Sequence, residues 1–378
     1  MNNKIKINNL DGGDKMKRLV ALAIFVLFSF AFLMAGTAFA FDSGSTGALG
    51  AFSPTASTEV QLPENGILNY TTVNIPSGVT VTFKKNASNT PVYILATGDV
   101  TVAGAISVNG GSGVVIAPGK GGPGGFDGGL GGYANSCGGI ALGFGGGKAA
   151  KQVASSINYG AGGGGGGFGA GGNVGGVIDN GNSTGGAGGS TYGNANLLPM
   201  IGGSGGGGGC GTVSYIGGSG GGGGGAIVIA SAGTINVTGS IIANGGNGAS
   251  YGGGYAGGGG GGSGGAIRLL ANIINGEGTI SANGGGGGQG GYYYYANGGN
   301  SGAGRIRFEA NTLSRYATTS PTYTFGGSPL AVFPPIIPTL KITKVAGIDV
   351  PASPTGAYSS PDVTMPSTAT SPVEVVVE

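Results

Sequence analysis

The chain has 378 residues, 95 of them glycine, with only 8% charged and 39% hydrophobic residues and a formal net charge of +2. So little charge with this much apolar content excludes a typical disordered tail, and glycine without a strict three-residue period excludes collagen. A charge of +2 gives no basic stripe for nucleic acid, and the absence of histidine removes His triads, imidazole bases and His metal ligands.

Residues 1–40 read as a secretory signal peptide with a signal helix. Met16-Lys17-Arg18 is a basic start, Leu19 to Met34 is apolar apart from Ser29, and Ala38-Phe39-Ala40 is an A-x-A cleavage site. Met16 is a candidate true start. The expected address is exported: extracellular, cell surface or periplasmic. Membrane contact is expected only through this segment before cleavage.

Ile67 to Val73 and Val79 to Phe83 read as strands joined by the turn Pro76-Ser77-Gly78. They are expected to form a first rung or cap.

Internal repeats then carry the fold. Val92 to Gly111 aligns without a gap on Ile227 to Gly246. A third copy runs from Ile267 to Gly285 with one residue fewer, and a fourth starts at Arg305 and departs. Val100, Val102 and Ile106, like Ile235, Val237 and Ile241, alternate with polar or small residues, the period of a strand with one buried face. The strands are expected to be 3–5 residues long, with corners at Gly98, Gly104, Gly233, Gly239 and Gly278. Such units cannot bury their faces alone. The expected fold is all-β: a single-stranded right-handed parallel β-helix over residues 41–325 with long glycine-rich inserts. Ile227, Ile267 and Ile306 should stack inside, as should Ile229, Leu269 and Phe308. Asn109, Asn244 and Asn283, each before Gly-Gly, should form a corner ladder, where Asn tolerates left-handed angles and bonds locally.

The inserts are extreme. Gly245 to Gly265 holds 14 glycines in 21 residues, Gly284 to Gly304 holds 11 in 21, and Gly110 to Gly225 has the same character. Two states are open: flexible loops, or extended polyproline-II-like segments packed side by side. Cys137 and Cys210 lie in such stretches, either paired as a disulfide or free.

Little chemistry is encoded. Gly-x-Gly-x-x-Gly occurs often but never between a strand and a helix, so it signals no nucleotide loop. Calcium nonapeptides need repeated Asp, and only Asp127 approaches the pattern. No metal or cofactor is implied. Twelve acids are scattered through the chain after residue 40. Arg268 and Arg307, with Glu309 and Arg305 nearby, form the one charge cluster, expected on a solvated outer face. Tyr292, Tyr293, Tyr294 and Tyr295 interrupt one insert, and Tyr251, Tyr255, Tyr215, Tyr192 and Tyr159 punctuate others. Tyrosine offers a rigid face with a polar tip, suited to sugar stacking or protein contact, or to packing over glycine.

Residues 326–339, with Pro329, Pro334, Pro335 and Pro338, read as a stiff linker. Residues 340–378 hold two alternating stretches, Leu340 to Val345 and Val373 to Val377. They read as a partial β-sandwich or as strands that pair with a partner or with the end of the helix.

The pattern ATGDVTVAGAISVNGG (Ala96 to Gly111) followed by GGPGGFDGG (Gly121 to Gly129) resembles a group of glycine-rich exported bacterial proteins, over roughly Leu62 to Phe308. More distantly, the chain is similar to pectate-lyase-like β-helices and surface adhesins. No lyase acid cluster matches, so no catalytic residue carries over. The expected function is a non-enzymatic structural or adhesive surface protein presenting a glycine-tyrosine flank to glycan, mineral, ice or another protein. The alternatives are a polysaccharide lyase or hydrolase on a β-helix, and one segment of a larger surface assembly.

Overall fold

The computed structural model describes residues 41–152, 159–177, 183–291, 295–329, 331–333, 341–352, 354 and 361–378. The chain parts into Met1–Ala40 and Phe41–Glu378. The signal-peptide reading of residues 1–40 lies outside the described residues.

Every regular element among the described residues is a strand. In chain order these are β1 (Thr58–Gln61), β2 (Ile67–Tyr70), β3 (Val73–Ile75), β4 (Thr80–Lys84), β5 (Val92–Ala96), β6 (Val100–Val102), β7 (Ala105–Ser107), β8 (Lys151–Gln152), β9 (Ser183–Thr184), β10 (Ala226–Val237), β11 (Ser240–Ile242), β12 (Ala266–Asn275), β13 (Thr279–Ser281), β14 (Arg305–Ser314), β15 (Thr324–Gly326), β16 (Ile342–Val345), β17 (Ile348–Asp349) and β18 (Val375–Val377). Two parallel sheets dominate. One runs β1-β4-β7-β11-β13. The other runs β2-β5-β10-β12-β14-β15, with β6 joining β3 to β10. The chain crosses from one sheet to the other within each repeat.

Register follows the repeat. Val92 pairs with Ile227, Ile227 with Ile267 and Ile267 with Ile306; Ile229 pairs with Leu269 and Leu269 with Phe308. In the other sheet Ile106 pairs with Ile241 and Ile241 with Ile280. All of these side chains fall in one buried apolar core. Apolar residues at every second position point to one side of the pleat, and the matching patterns of the copies stack like on like. Phe52 stacks on Tyr70 (5.0 Å) at one end of that core and Tyr323 on Phe308 (4.5 Å) at the other.

Two local expectations are corrected. Ile67 to Val73 is not one strand, since β2 and β3 are separated at Thr71 and Thr72. Strands of 3–5 residues do not describe β10, β12 and β14, which have 12, 10 and 10 residues. Gly233 shifts the register between Ser231 and Thr234 without ending the strand. The Asp99 carboxylate accepts from the Thr234 N–H (2.7 Å), and the Ser231 hydroxyl donates to the Gly98 carbonyl (2.8 Å), so the backbone groups at the bend stay satisfied.

The glycine tracts are ordered over their described residues. Gly203, Gly206 and Gly209 donate to the carbonyls of Gly224, Gly221 and Gly218. Gly218, Gly221 and Gly224 donate to those of Gly257, Gly260 and Ser263. Gly258, Gly261 and Gly264 donate to those of Ala296, Gly299 and Gly302. All of these bonds measure 2.8–3.1 Å. Donation from every third residue is the period of polyproline II, which makes no internal hydrogen bonds and leaves its groups free for neighbours. Ordering glycine costs more backbone entropy than ordering any other residue, and the lateral bonds offset it. Only glycine permits the approach: a Cβ on Gly220 would collide with the Gly206 carbonyl, and one on Gly260 with the Gly164 carbonyl.

Beyond these layers, β16, β17 and β18 form a three-stranded antiparallel sheet in the order β17-β16-β18. The two alternating stretches of the tail therefore pair with each other. In the described part of the Pro-rich segment, Val332 is buried, and Phe333 packs on Tyr93 at 5.1 Å.

Candidate functional site

The glycine segments run out from the strands and return. Residues 108–114 come back as 117–123, 202–212 as 217–225, 243–251 as 256–265 and 282–291 as 296–304. The reversals are tight: Val114 bridges Ala117, the Ser136 hydroxyl donates to the Tyr133 carbonyl, and the Thr212 N–H donates to the Tyr215 carbonyl. Bonds between reversals set them side by side. Asn135 donates to Thr212 (3.1 Å), Gly252 to Ile216 (2.9 Å), Tyr251 to Gln289 (2.9 Å) and Gly160 to Tyr255 (2.7 Å), all through backbone groups. Loops held by rigid neighbours are the usual carriers of binding residues.

This shared end is apolar and aromatic. Ile116 is 75% exposed and Tyr133 66%, and Val114, Val213, Tyr215, Tyr255 and Tyr295 are also exposed. Tyr159 and Tyr255 meet edge to face at 5.0 Å. The Tyr215 ring lies over the backbone of Gly253 and Gly254, where any Cβ would strike it. Tyr251 is half-buried beside this ring of loops. Tyr292, Tyr293 and Tyr294 lie outside the described residues.

The expected glycine-tyrosine flank is thus corrected in its geometry. The glycines are mostly buried within the slab, and the tyrosines gather where the segments turn. Tyr192 does not belong with them. Its ring packs on Phe168 (4.7 Å) beneath the slab, and its hydroxyl donates to the Gly202 carbonyl (2.6 Å). Burial pushes its phenol up to about 12, against a smaller opposite effect from the Ser204 hydroxyl. Val114, Ile116, Tyr133 and Val213 are the surface residues that sequence reasoning missed. Their signal is the short break in glycine at each reversal: Val114-Val115-Ile116, Tyr133-Ala134-Asn135-Ser136 and Thr212-Val213-Ser214.

Cys137 and Cys210 are joined as a disulfide. The bond sits just behind the reversals, Cys210 is fully buried, and it shares a small apolar cluster with Ala150 and Ala161.

The charge cluster is the main correction. Arg268 and Arg307 do stack in register, but Arg268 is 1% exposed, Arg307 8% and Glu309 0%. Arg268 Nε and Nη2 donate to Glu309 Oε1 and Oε2 at 3.0 and 3.1 Å, and Arg307 Nε donates to Oε1 at 2.7 Å. The outward face of this sheet is not solvated because Leu95, Val228, Ala230 and Leu270 form a second core there with Phe168, Leu197, Met200 and Val332. The sequence carries a trace of this: Ala226 to Ala230 is apolar at every position, the pattern of a strand buried on both faces.

Asn109, Asn244 and Asn283 form a ladder, with a different cause from the one expected. None has a left-handed backbone angle. The Asn109 side-chain oxygen accepts from the Asn244 N–H (2.7 Å), that of Asn244 from the Asn283 N–H (2.8 Å), and that of Asn283 from the Ser320 hydroxyl (2.6 Å). Asn109 and Asn244 therefore each bond to the next copy of the repeat, and Asn283 to Ser320. Asp127 accepts from the Gly121 N–H and from Lys120 Nζ, both at 2.8 Å, which ties it into its own loop. Among the described residues no three metal-binding side chains of the His, Cys, Asp and Glu types come together.

The chain matches no protein-family model, no curated protein and no solved structure.

Proposed function

We propose that this is an exported, non-enzymatic adhesive protein. In this reading the two parallel sheets are the walls of a right-handed parallel β-helix, and the glycine slab is a rigid mount for the tyrosine-bearing reversals. Their partner is glycan or another surface protein. The gathering of exposed Tyr133, Tyr215, Tyr255 and Tyr295 with Val114, Ile116 and Val213 at one end of the slab carries the proposal. An exposed apolar patch on a rigid support is the common form of an interaction site, and tyrosine supplies contact area at low entropic cost. Export is supported by the pattern of residues 16–40. The alternative of a polysaccharide lyase or hydrolase drew on Arg268 and Arg307, and their burial with Glu309 weighs against it.

The test is binding to an array of surface glycans and to whole bacterial or host cells. A Tyr133→Ser, Tyr255→Ser, Tyr295→Ser variant is compared with the native chain, with circular dichroism as a folding control. Loss of binding by a folded variant is expected. Undiminished binding by that variant would overturn the assignment of the tip.

A further inference from the structure

Among the described residues, the outward face of the large sheet carries three guanidinium groups, Arg268, Arg305 and Arg307, against the single carboxylate of Glu309. Arg268 and Arg307 share that carboxylate. Arg305 forms no ion pair among the described residues. Its Nη2 donates to the Tyr192 carbonyl (3.1 Å), its guanidinium carbon lies 5.7 Å from the centre of the Phe168 ring, and its Nε is buried with no hydrogen-bond partner. Beside it opens a cavity of about 220 Å³, lined by Arg305, Ala170, Ala195, Pro321, Thr322 and Thr324 among others.

A buried N–H without an acceptor is uncommon, and on a charged group it is costly to leave unmade. The aromatic face of Phe168 and the Tyr192 carbonyl hold the guanidinium in place. The surplus positive charge on this sheet face favours an anion beside it. A guanidinium presents a flat fork of donors that matches the oxygens of a carboxylate or sulfate. The volume lies below that of sites for drug-sized ligands, which suits one small group.

From this juxtaposition we infer that the Arg305 cavity is a binding site for a small oxyanion, a carboxylate or a sulfate; taking its carrier to be an acidic sugar rests on the glycan reading of the proposed function. The site lies at the base of the slab, where the segment 296–304 enters β14, and is independent of the tyrosine tip. The acid group meets the Arg305 guanidinium where it lines the cavity, while Nε stays sealed from solvent and Nη2 stays on the Tyr192 carbonyl. The sugar ring lies over Ala195 and Pro321, with the Thr322 hydroxyl at the rim.

The experiment is titration calorimetry of the full chain with methyl glucuronide, inorganic sulfate and methyl glucoside. Saturable binding of the glucuronide, or of sulfate if the natural group is a sulfate ester, is expected, with none for the neutral glucoside. Arg305→Gln should weaken it by about tenfold or more, the loss of a charge-assisted pair. Thr322→Trp alters an exposed rim residue and should block entry without touching the guanidinium. Binding should survive in the tip variant, which separates failure here from failure there. No saturable binding of either anion, or equal binding by Thr322→Trp and the native chain, would overturn the inference.

Discussion

Arg268 and Glu309 meet through two nearly parallel hydrogen bonds, Nε to Oε1 at 3.0 Å and Nη2 to Oε2 at 3.1 Å, with both side chains sealed from solvent. Glu309 also accepts from Arg307, so one carboxylate offsets two buried cations. Glu309→Gln leaves both without a counter-charge. Removing one partner of a buried pair costs about 3–5 kcal/mol, and chemical denaturation should show a loss of that size. Replacing Arg268, Arg307 and Glu309 together by Met, Leu and Leu should cost less than Glu309→Gln alone, because no unpaired charge is left.

The glycine slab makes a sharp contrast testable. Gly260→Ala directs a methyl group into the Gly164 carbonyl, whereas a Cβ on Gly286 meets nothing nearer than the Asn247 Oδ1 at 3.7 Å. Overpacking costs about 1–3 kcal/mol, and open surface positions stay within about 0.5 kcal/mol. Thermal melting should rank Gly260→Ala well below Gly286→Ala and the native chain. Equal melting temperatures would show that the segments do not pack as described.

The repeat was legible because its period is exact enough to align by eye. Val92, Ile227, Ile267 and Ile306 pair in register as the alignment of the copies requires. The second core was only partly legible. The unbroken apolar run Ala226 to Ala230 hints at two buried faces, but the cover over Val228 and Leu270 comes from Phe168, Leu197 and Val332, far away in sequence. That is why Arg268 and Arg307 looked solvated. Composition alone could not separate a loose linker from bonded polyproline-II segments, since both are glycine; the deciding fact is that carbonyls of neighbouring segments fall opposite every third N–H. The tip depends on where each segment turns, which only the short breaks around Tyr133 and Tyr215 foreshadow.

The Cys137–Cys210 bond closes a loop of 73 residues in sequence. A crosslink of that span restricts the unfolded chain by an amount worth about 4 kcal/mol in the chain-entropy description. Cys137→Ser with Cys210→Ser should lower the unfolding free energy by about 2–4 kcal/mol. The same shift should appear in the native chain under dithiothreitol, and none in the double variant.

Tyr192 sets an alkaline limit. Its phenol titrates near 10 when unfolded and is pushed up to about 12 by burial when folded. The folded state therefore holds its proton longer, and the stability this supplies is complete below pH 10 and lost as pH rises from 10 to 12. A two-unit difference is worth about 2–3 kcal/mol. Denaturation midpoints measured between pH 9 and pH 12 should fall for the native chain and fall less for Tyr192→Phe.

Glu277 acts at the other end of the scale. Backbone N–H groups of Tyr316 and Ala317 hold its carboxyl below the usual range. This contribution is present above the unfolded carboxylate range and disappears as acid protonates the folded carboxylate. Amide exchange at Tyr316 should accelerate on acidification beyond the intrinsic pH trend, and Glu277→Gln should remove that excess.

A lattice in which nearly every interior position must be free of a side chain has a consequence for how such a molecule can change. Mutation inside the slab is answered by collision, so heritable novelty has almost nowhere to go except the hairpin ends. A frozen interior and permissive extremities mean that changes of sequence are absorbed at the hairpin ends while the slab beneath keeps the same shape.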